Sequence, residues 1–209
     1  MRVAVYAIAK NEESFVKRWA DSAKDADGLY LADTGSGDNT VQIARDCGVK
    51  VSSISIEPWR FDDARNASMA LIPSDYDYLI CLDLDEVLSP GWRDALEIAF
   101  KRGVTRPRYT YIWKSDAEGR PILMFAGDKI HARNGYRWKY PCHETLVSDR
   151  IEETQYPIPL EIRHYPDESK PRTSYLGLLH IAALENPFDS RCSFYLGREL
   201  FLNKSYVEA

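Results

Sequence analysis

The sequence predicts an α/β fold built on a mostly parallel central sheet with helices on both faces. In the first hundred residues, apolar runs of strand length alternate with segments whose apolar residues recur at helical spacing. Strands buried on both faces of a parallel sheet are apolar throughout, and parallel neighbours need helical crossovers. With 209 residues, 44% of them hydrophobic, the chain can form one domain with a proper core and a small appendage.

Four strands and four helices are predicted to alternate before residue 104. The strand segments are VAVYAIA (3–9), GLYLA (28–32), VKVSSISI (49–56) and DYLICLD (77–83). The helical segments are NEESFVKRWADSAKDA (11–26), TVQIARDCG (40–48), FDDARNASMALI (61–72) and PGWRDALEIAFKRG (90–103). Asp38 or Asn39 is suited to cap the second helix, and Gly48 to end it.

The pattern changes after about residue 104, where a small antiparallel part is predicted. PRYTYIWKS (107–115) and PILMFAGDKIHA (121–132) flank DAEGRP, a turn sequence typical of a hairpin. RNGYRWKYPCHETL (133–146) is aromatic and irregular, and PIPLEIRHYP (157–166) predicts one more strand.

The last part of the chain is predicted to be helical from about Thr173, through SYLGLLHIAALE and SRCSFYLGRELFLNKSYVEA. No internal repeat or low-complexity segment interrupts the sequence. We therefore predict a main domain over residues 1–172 and a helical C-terminal extension over residues 173–209.

Charge and cysteine usage argue against several classes of protein. The 27 basic and 32 acidic residues give a net charge of −5 without a long basic run, which disfavours a dedicated nucleic-acid or anionic-membrane binder. Cys47, Cys81, Cys142 and Cys192 lack the spacing of a zinc site. The opening MRVAVYAIAKNEE has seven apolar residues before Lys10, too few for a signal peptide or a membrane span. We expect a cytoplasmic protein with reduced thiols.

Polar residues follow three of the predicted strands. Asn11 and Glu12 follow the first strand, Asp33 closes the second, and Asp83 and Asp85 close the fourth. In an open parallel sheet, ligands bind outside these carboxyl ends. Residues i and i+2 of an extended chain share a face, so Asp83 and Asp85 project together and repel unless a cation offsets them. The spacing predicts a Mg²⁺ or Mn²⁺ site, with capping of the following helix as the structural alternative.

The segment DLDEVL also fits the signature of haloacid-dehalogenase-type phosphohydrolases, in which the first Asp attacks phosphorus. That motif ordinarily ends the first strand of its domain, whereas three strand units precede it here. The design also needs a distal acidic pair, and GDK at 127–129 has no second acid within reach. This alternative leaves the other strand-end residues unexplained.

Six motifs in order carry a resemblance to a known family. They are AIAKNEE (7–13), LADTGSGDNT (31–40), FDDARNASM (61–69), CLDLDE (81–86), PCHETL (141–146) and IRHYP (162–166). Over about residues 3–175 the chain resembles family 2 glycosyltransferases of the GT-A fold. The resemblance implies metal-dependent, inverting transfer from a nucleotide diphosphate sugar, with UDP favoured by family habit and Mn²⁺ or Mg²⁺ as cofactor. The acceptor stays open between peptide, glycan, lipid and small molecule.

The resemblance also implies residues that hold the nucleotide. It assigns contacts to the base and ribose to Ala9, Asn11 and Glu12 in one loop and to Asp33. Arg65 resembles the residue that holds the diphosphate or orders the acids, and a structural salt bridge is its alternative role.

The same resemblance implies the metal ligands and the catalytic base. Asp85 is the direct metal ligand, and Asp83 also serves the metal but lies nearer the ribose. His164 completes the metal sphere, with a purely structural role as its alternative. Glu144 is the base that accepts the proton of the acceptor. His143 orients Glu144, or binds metal or phosphate.

Aromatic residues near PCHETL form a last candidate group. Trp138, with Tyr136 and Tyr140, would supply a stacking wall for a sugar or an acceptor, and plain core packing is the alternative.

Two segments depart from the family pattern or extend beyond it. Pro166 and Asp167 follow the HY motif where relatives often have Gly and Tyr. FYLGRELFLNKSYVEA resembles the first helix and turn of a tetratricopeptide-type repeat, so residues 173–209 either begin such a region or pack as a terminal helix.

A non-catalytic sugar-nucleotide-binding or scaffold protein is the remaining alternative function.

Overall fold

The protein is described by a computed structural model that covers residues 1–149, 152–167 and 175–206. The strands are β1 (Val3–Ala9), β2 (Gly28–Asp33), β3 (Lys50–Ser53), β4 (Tyr78–Cys81), β5 (Glu86–Leu88), β6 (Arg106–Ser115), β7 (Pro121–Gly127), β8 (Ile130–Ala132), β9 (Tyr136–Lys139), β10 (Thr145–Ser148) and β11 (Gln155–His164). The helices are α1 (Glu13–Ser22), α2 (Thr40–Asp46), α3 (Phe61–Ala70), α4 (Trp92–Lys101), α5 (Leu176–Glu185) and α6 (Ser190–Leu202).

The central sheet has the strand order β3-β2-β1-β4-β8. Its first four strands run parallel, as the sequence predicts, and β8 adds an antiparallel edge. The register places Ala9 beside Asp33 and Val3 beside Tyr78. The carboxyl ends of β1 and β2 therefore meet at one edge of the sheet, beside the segment that follows β4.

The side chains of β1 alternate between two hydrophobic cores, one on each face of the sheet. Val5 and Ala7 belong to the cluster that contains Trp19 of α1. Tyr6 belongs to the cluster on the other face, with Met69 of α3. Because both faces are covered, β1 reads as one continuous apolar run.

Helix boundaries agree with the predicted stop and start signals. Gly48 after α2 and Gly91 before α4 have φ of +78° and +81°, a conformation that glycine adopts without steric cost. Of the two predicted caps for α2, Asp38 provides the hydrogen bond: its Oδ1 accepts from the backbone N–H of Thr40 at 3.0 Å. The side chain of Asn39 makes no cap hydrogen bond.

The predicted second arm of the hairpin, residues 121–132, is divided between two sheets. Residues Pro121–Gly127 pair with β6 as predicted, whereas Ile130–Ala132 leave the hairpin and join β4 in the central sheet. At the end of the hairpin, Gly127 lets the ring of Tyr109 approach closely, because a Cβ there would lie 2.2 Å from that ring. Lys129 lies between these two segments, and its Nζ donates to Asp83 and Glu86.

Two further elements were not predicted. Residues 133–146, expected to be irregular, contain β9, which pairs with β10 in an antiparallel ribbon. Glu86–Leu88 forms β5 and pairs with β11 in a four-stranded sheet of order β5-β11-β6-β7. The pairing of β5 with β11 is long-range, which residue periodicity does not reveal, whereas β9 and β10 form a local hairpin within a segment that lacks clear alternation.

The C-terminal extension is helical, as predicted, and α5 packs against α6. Arg60 holds the end of α5 through Glu185, with Nη1 2.5 Å from Oε1, and the hydroxyl of Tyr140 donates to Asp189 before α6. The predicted boundary between residues 172 and 173 lies outside the described residues. No helix in the described part of the chain combines the length and apolar character needed to cross a bilayer.

Candidate active site

Two adjacent cavities open at the carboxyl ends of the parallel strands. The loop cavity, of about 770 Å³, lies around the segment after β1, and the acid cavity, of about 540 Å³, lies around the segment after β4. Phe61 and Tyr175 line both cavities. The two cavities together form a cleft that is lined by all the predicted nucleotide, metal and catalytic residues except Asp33.

The carboxylate of Asp83 lies between two cations in the acid cavity. Its Oδ1 accepts from Arg65 Nη1 and its Oδ2 from Lys129 Nζ, each at 2.7 Å. Burial alone would raise the pKa of Asp83, but Arg65 and Lys129 hold that pKa well below its usual range. Asp83 is therefore ionised and already neutralised by protein groups.

The buried Glu86 binds both Lys129 and the backbone of Asp83. It is 1% exposed, and its Oε1 accepts from Lys129 Nζ and from the hydroxyl of Tyr111, both at 2.6 Å. Its Oε2 accepts from the backbone N–H of Asp83 at 2.9 Å. Burial raises the pKa of Glu86 above its usual value, although Lys129 opposes the shift. Glu86 thus fixes the turn that presents Asp83 and Asp85.

Glu144 reaches the same network through Arg65. Arg65 Nε donates to Glu144 Oε1 at 2.5 Å while its Nη1 holds Asp83. Burial would lower the pKa of Arg65, but Asp83, Cys81 and Glu144 raise that pKa well above its usual value. Both predicted roles of Arg65 are compatible with this geometry, because it orders two acids and faces the cleft.

Trp138 lines the acid cavity but belongs mainly to the core. Its side chain is 3% exposed, and its Nε1 donates to the hydroxyl of Tyr6 at 2.8 Å. The guanidinium of Arg65 lies 5.1 Å from its ring, a cation–π distance. This burial favours the core-packing role for Trp138. Its ring also packs against the guanidinium of Arg65.

Asp85 and His164 form a separate pair at the mouth of the acid cavity. Asp85 Oδ2 and His164 Nε2 are 3.2 Å apart, and the Asp85 side chain is 35% exposed. His164 Nδ1 lies 3.3 Å from the carbonyl oxygen of Trp113, to which it can donate. Burial lowers the pKa of His164, but the bond to Asp85 outweighs this and raises it.

The separation of this pair is compatible with two ligands of one divalent cation. Ligands about 2.1 Å from an octahedral ion, at right angles, lie about 3 Å apart, close to the observed Oδ2–Nε2 separation of 3.2 Å. The contact with Trp113 leaves Nε2 as the coordinating nitrogen. Within the described ranges, no three His, Cys, Asp or Glu side chains are grouped to hold an ion. Such an ion would therefore need ligands from water or substrate, as Mg²⁺ commonly does.

The loop after β1 lines the loop cavity and is clamped to the loop after β2. Asn11 has φ of +57°, and its Oδ1 accepts from the backbone N–H of Gly37 at 2.7 Å. The backbone N–H of Glu12 donates to the hydroxyl of Thr40 at 2.7 Å, and the carbonyl of Ala9 accepts from Thr34. Ala9, Asn11 and Glu12 therefore form one rigid edge of the cavity.

Asp33 is buried and does not line the loop cavity. It is 5% exposed, and its carboxylate accepts from the backbone N–H groups of Gly35 and Ser36 at 3.1 and 3.2 Å. These bonds shape the DTGSGDNT turn. The geometry gives Asp33 a role in holding the loop.

Helix α6 contributes Arg191 and Tyr195 to the lining of the acid cavity, which the sequence did not reveal. Arg191 donates to the carbonyl oxygen of His143 at 2.8 Å, and the ring of Tyr195 stacks on the ring of His143 at 4.2 Å. His143 has φ of +50°, so these contacts hold a backbone conformation that is uncommon without glycine. The C-terminal extension thus supports the turn that carries Glu144.

Several other cleft residues were missed at the sequence level. Lys129, Trp59, Trp113, Phe125, Arg191 and Tyr195 all line one of the two cavities. A basic residue directly before the β8 strand, in GDK, was the available signal for Lys129. The remaining residues depend on how β6, β7 and α6 fold over the sheet.

Comparison with known proteins identifies the family. The family model for Glycosyl transferase family 2 matches residues 4–145, more than half of the chain. The chain belongs to glycosyltransferase family 2. Five of the six motifs lie wholly or mainly in the matched range, and His164 lies beyond it.

Relatives of this family 2 chain match it in part. An uncharacterised glycosyltransferase of Rickettsia typhi is 32% identical over 100 residues, covering 47% of the chain and 33% of the relative. A TPR repeat-containing protein of Synechococcus elongatus is 26% identical over 179 residues, covering 78% of the chain and 42% of the relative. The matches thus span less than half of the length of these curated relatives.

A solved structure supports the fold. The crystal structure of a mycobacterial protein superposes with a TM-score of 0.58 at 17% identity, over 80% of the chain and 68% of that protein. Together with family membership, this agreement shows the predicted α/β fold of the GT-A type.

Proposed function

We propose that this chain is a metal-dependent, inverting glycosyltransferase that uses a UDP-sugar. One observation carries the proposal: Asp83, Asp85 and Glu144, from distant parts of the sequence, gather in one cleft beside a cavity suited to a nucleotide. Family membership supports glycosyl transfer as the reaction. The donor nucleotide is the one that the sequence resemblance implies.

Asp85 and His164 would hold the cation, because they are the pair at ligand distance and face the cleft. When bound, a divalent cation would neutralise the diphosphate and stabilise it as a leaving group. Arg65 already pairs with Asp83 and Glu144, and Lys129 with Asp83 and Glu86, so the positive charge of these two cations is balanced before the donor binds. Added negative charge on the donor therefore needs a further cation, which favours the metal-dependent reaction.

The loop of Ala9, Asn11 and Glu12 would receive the base and ribose, since it lines the loop cavity. Tyr175 and Phe61, in edge-to-face contact with ring centroids 5.4 Å apart, lie where the two cavities adjoin. A nucleotide in the loop cavity would therefore place its diphosphate toward Asp85 and His164.

Glu144 would act as the base. An acceptor hydroxyl attacks the anomeric carbon, the bond from that carbon to the diphosphate oxygen breaks, and the hydroxyl proton passes to Glu144. Arg65 binds Oε1 of Glu144, and within the described residues no protein group donates to Oε2. Oε2 is thus the oxygen suited to take the proton, while Arg65 keeps the carboxylate oriented.

A turnover assay tests this function. Purified protein is incubated with individual UDP-sugars, with Mn²⁺ or with EDTA, and UDP release is measured. The proposal is supported if UDP release requires the metal. It is also supported if Glu144→Gln loses the additional release that an acceptor stimulates and keeps the background release seen without an acceptor. Nucleotide binding without any turnover would instead indicate a non-catalytic binding protein, and phosphate release would indicate a phosphohydrolase.

A further inference from the structure

Two large aromatic side chains stand exposed inside the acid cavity. Trp113 is 45% exposed and Phe125 is 52% exposed, and both line the cavity together with Asp85 and His164. Neither was assigned a role by the sequence. Exposed apolar side chains grouped in a concave site commonly mark a ligand surface.

These two residues and Tyr111 form a continuous surface, here called the aromatic wall. The rings of Tyr111 and Trp113 on β6 have centroids 6.2 Å apart, although the pairing of β6 with β7 is irregular at Trp113, and Tyr111 lies opposite Phe125 on β7. The ring centroids of Tyr111 and Phe125 are 5.1 Å apart. Tyr111 is 5% exposed and its hydroxyl donates to Glu86, so the buried end of the aromatic wall is held in place by this hydrogen bond.

The aromatic wall begins at the proposed metal pair. The rings of Trp113 and His164 stack with centroids 4.4 Å apart and planes at 17°. His164 in turn lies 3.2 Å from Asp85. No residue of the wall lines the loop cavity, where the nucleotide would bind. The wall therefore flanks the end of the cleft at which the sugar would be transferred.

We propose that the aromatic wall is the acceptor subsite and that the acceptor presents a pyranose ring to it. This inference rests on the proposed function. A pyranose has a face of C–H groups that packs on an aromatic ring and a rim of hydroxyls that needs polar partners. Asp128, Lys129 and Arg191 line the same cavity and provide such partners.

A lipid tail or a donor sugar fits the wall less well. A tail placed here would desolvate charged groups without replacing their hydrogen bonds, which is costly. The donor sugar is tethered through its diphosphate, whereas an acceptor has no such anchor and depends on its own contact surface. The flat, open surface of Trp113 and Phe125 supplies that contact.

Ligand-observed saturation-transfer NMR tests the proposal with the full chain. The probes are methyl pyranosides of the common hexoses and N-acetylhexosamines and their disaccharides, with and without UDP and Mg²⁺. We expect transfer to ring C–H protons of at least one probe. Trp113→Ala and Phe125→Ala should each weaken its binding about five- to tenfold, as expected for the loss of one aromatic contact.

Matched variants separate binding from folding. Met124→Ala removes a side chain that is 61% exposed, adjacent to Phe125 in sequence and outside the cavity lining, so probe binding should stay within twofold of wild type. Trp113→Phe should restore part of the binding, and circular dichroism should match wild type in all variants. Octyl glucoside below its micellar concentration serves as the amphiphilic probe.

Three results would overturn the proposal: no pyranoside binds, both alanine variants bind like wild type, or the octyl chain receives the saturation while ring protons do not. Because binding is read without turnover, failure here is distinct from failure of the proposed function. Pyranoside binding without UDP-sugar turnover would refute the transferase assignment and retain a saccharide site.

Discussion

Arg65 Nε lies 2.5 Å from Oε1 of Glu144, across a sequence separation of 79 residues. The same guanidinium binds Asp83, so the buried Arg65 connects the proposed base, Glu144, to Asp83. A single residue on α3 thereby determines the relative placement of two strand-end segments.

Replacing Arg65 should destabilise the fold as well as the site. Arg65→Met leaves Asp83 and Glu144 without their shared cation, and we expect a loss of about 3–5 kcal/mol in the free energy of unfolding. Urea unfolding followed by circular dichroism measures this. Arg137→Met, which breaks an exposed pair with Asp149, is the control and should cost less than about 0.5 kcal/mol. Equal losses in the two variants would contradict the assigned role.

Asp85 should be needed for the metal and dispensable for folding. The side chain of Asp85 is 35% exposed and pairs with His164. Asp85→Ala should therefore unfold at nearly the wild-type urea concentration. We expect metal-dependent UDP release to fall at least about 100-fold, as when a metal-bound group is lost. Asp63→Ala, an exposed acid on α3, is the control. Unchanged release in Asp85→Ala would place the metal elsewhere.

Arg191 should affect turnover from outside the acid cluster. Arg191→Ala removes the hydrogen bond to the His143 carbonyl, and loosening the turn before Glu144 should lower kcat about fivefold with an unchanged Kd for UDP. Transfer rates and UDP titrations measure the two quantities. Phe194→Ala, exposed on the same helix, should leave both unchanged. A change confined to Kd would show that Arg191 contacts the donor instead.

His131 should make the folded state sensitive to acid. Burial lowers the pKa of His131 to about 4 from its usual value near 6.5, so the unfolded chain binds a proton that the folded chain excludes. Stability should therefore fall between pH 6.5 and 4, by up to about 3 kcal/mol from this residue alone. Unfolding free energies at pH 7, 6 and 5 measure the slope.

His131→Phe should flatten that slope, although the loss of contacts with Tyr6 and Ala132 is expected to lower stability at pH 7. His180→Phe, on the exposed side of α5, should keep the wild-type slope. If the slope survives in His131→Phe, other groups produce the acid sensitivity.

The sequence by itself determined the parallel half of the fold and the edge that carries the cleft. Apolar runs such as β1 and the stop signal at Gly48 act within a few residues, so periodicity and turn chemistry reveal them. Because parallel strands end at a common edge, the sequence alone places the predicted acids Asp83 and Asp85 at that edge.

Only the tertiary structure decided which partners those acids have. Lys129 reaches Asp83 because residues 121–132 split between two sheets, and α6 supports His143 although it lies 48 residues further along the chain. The hairpin of β6 and β7 was predicted, but the aromatic wall also depends on the stacking of Trp113 with His164 of β11, which was not. Such contacts depend on long-range packing of elements, which leaves no periodic signal in the sequence, so local residue patterns could not predict them.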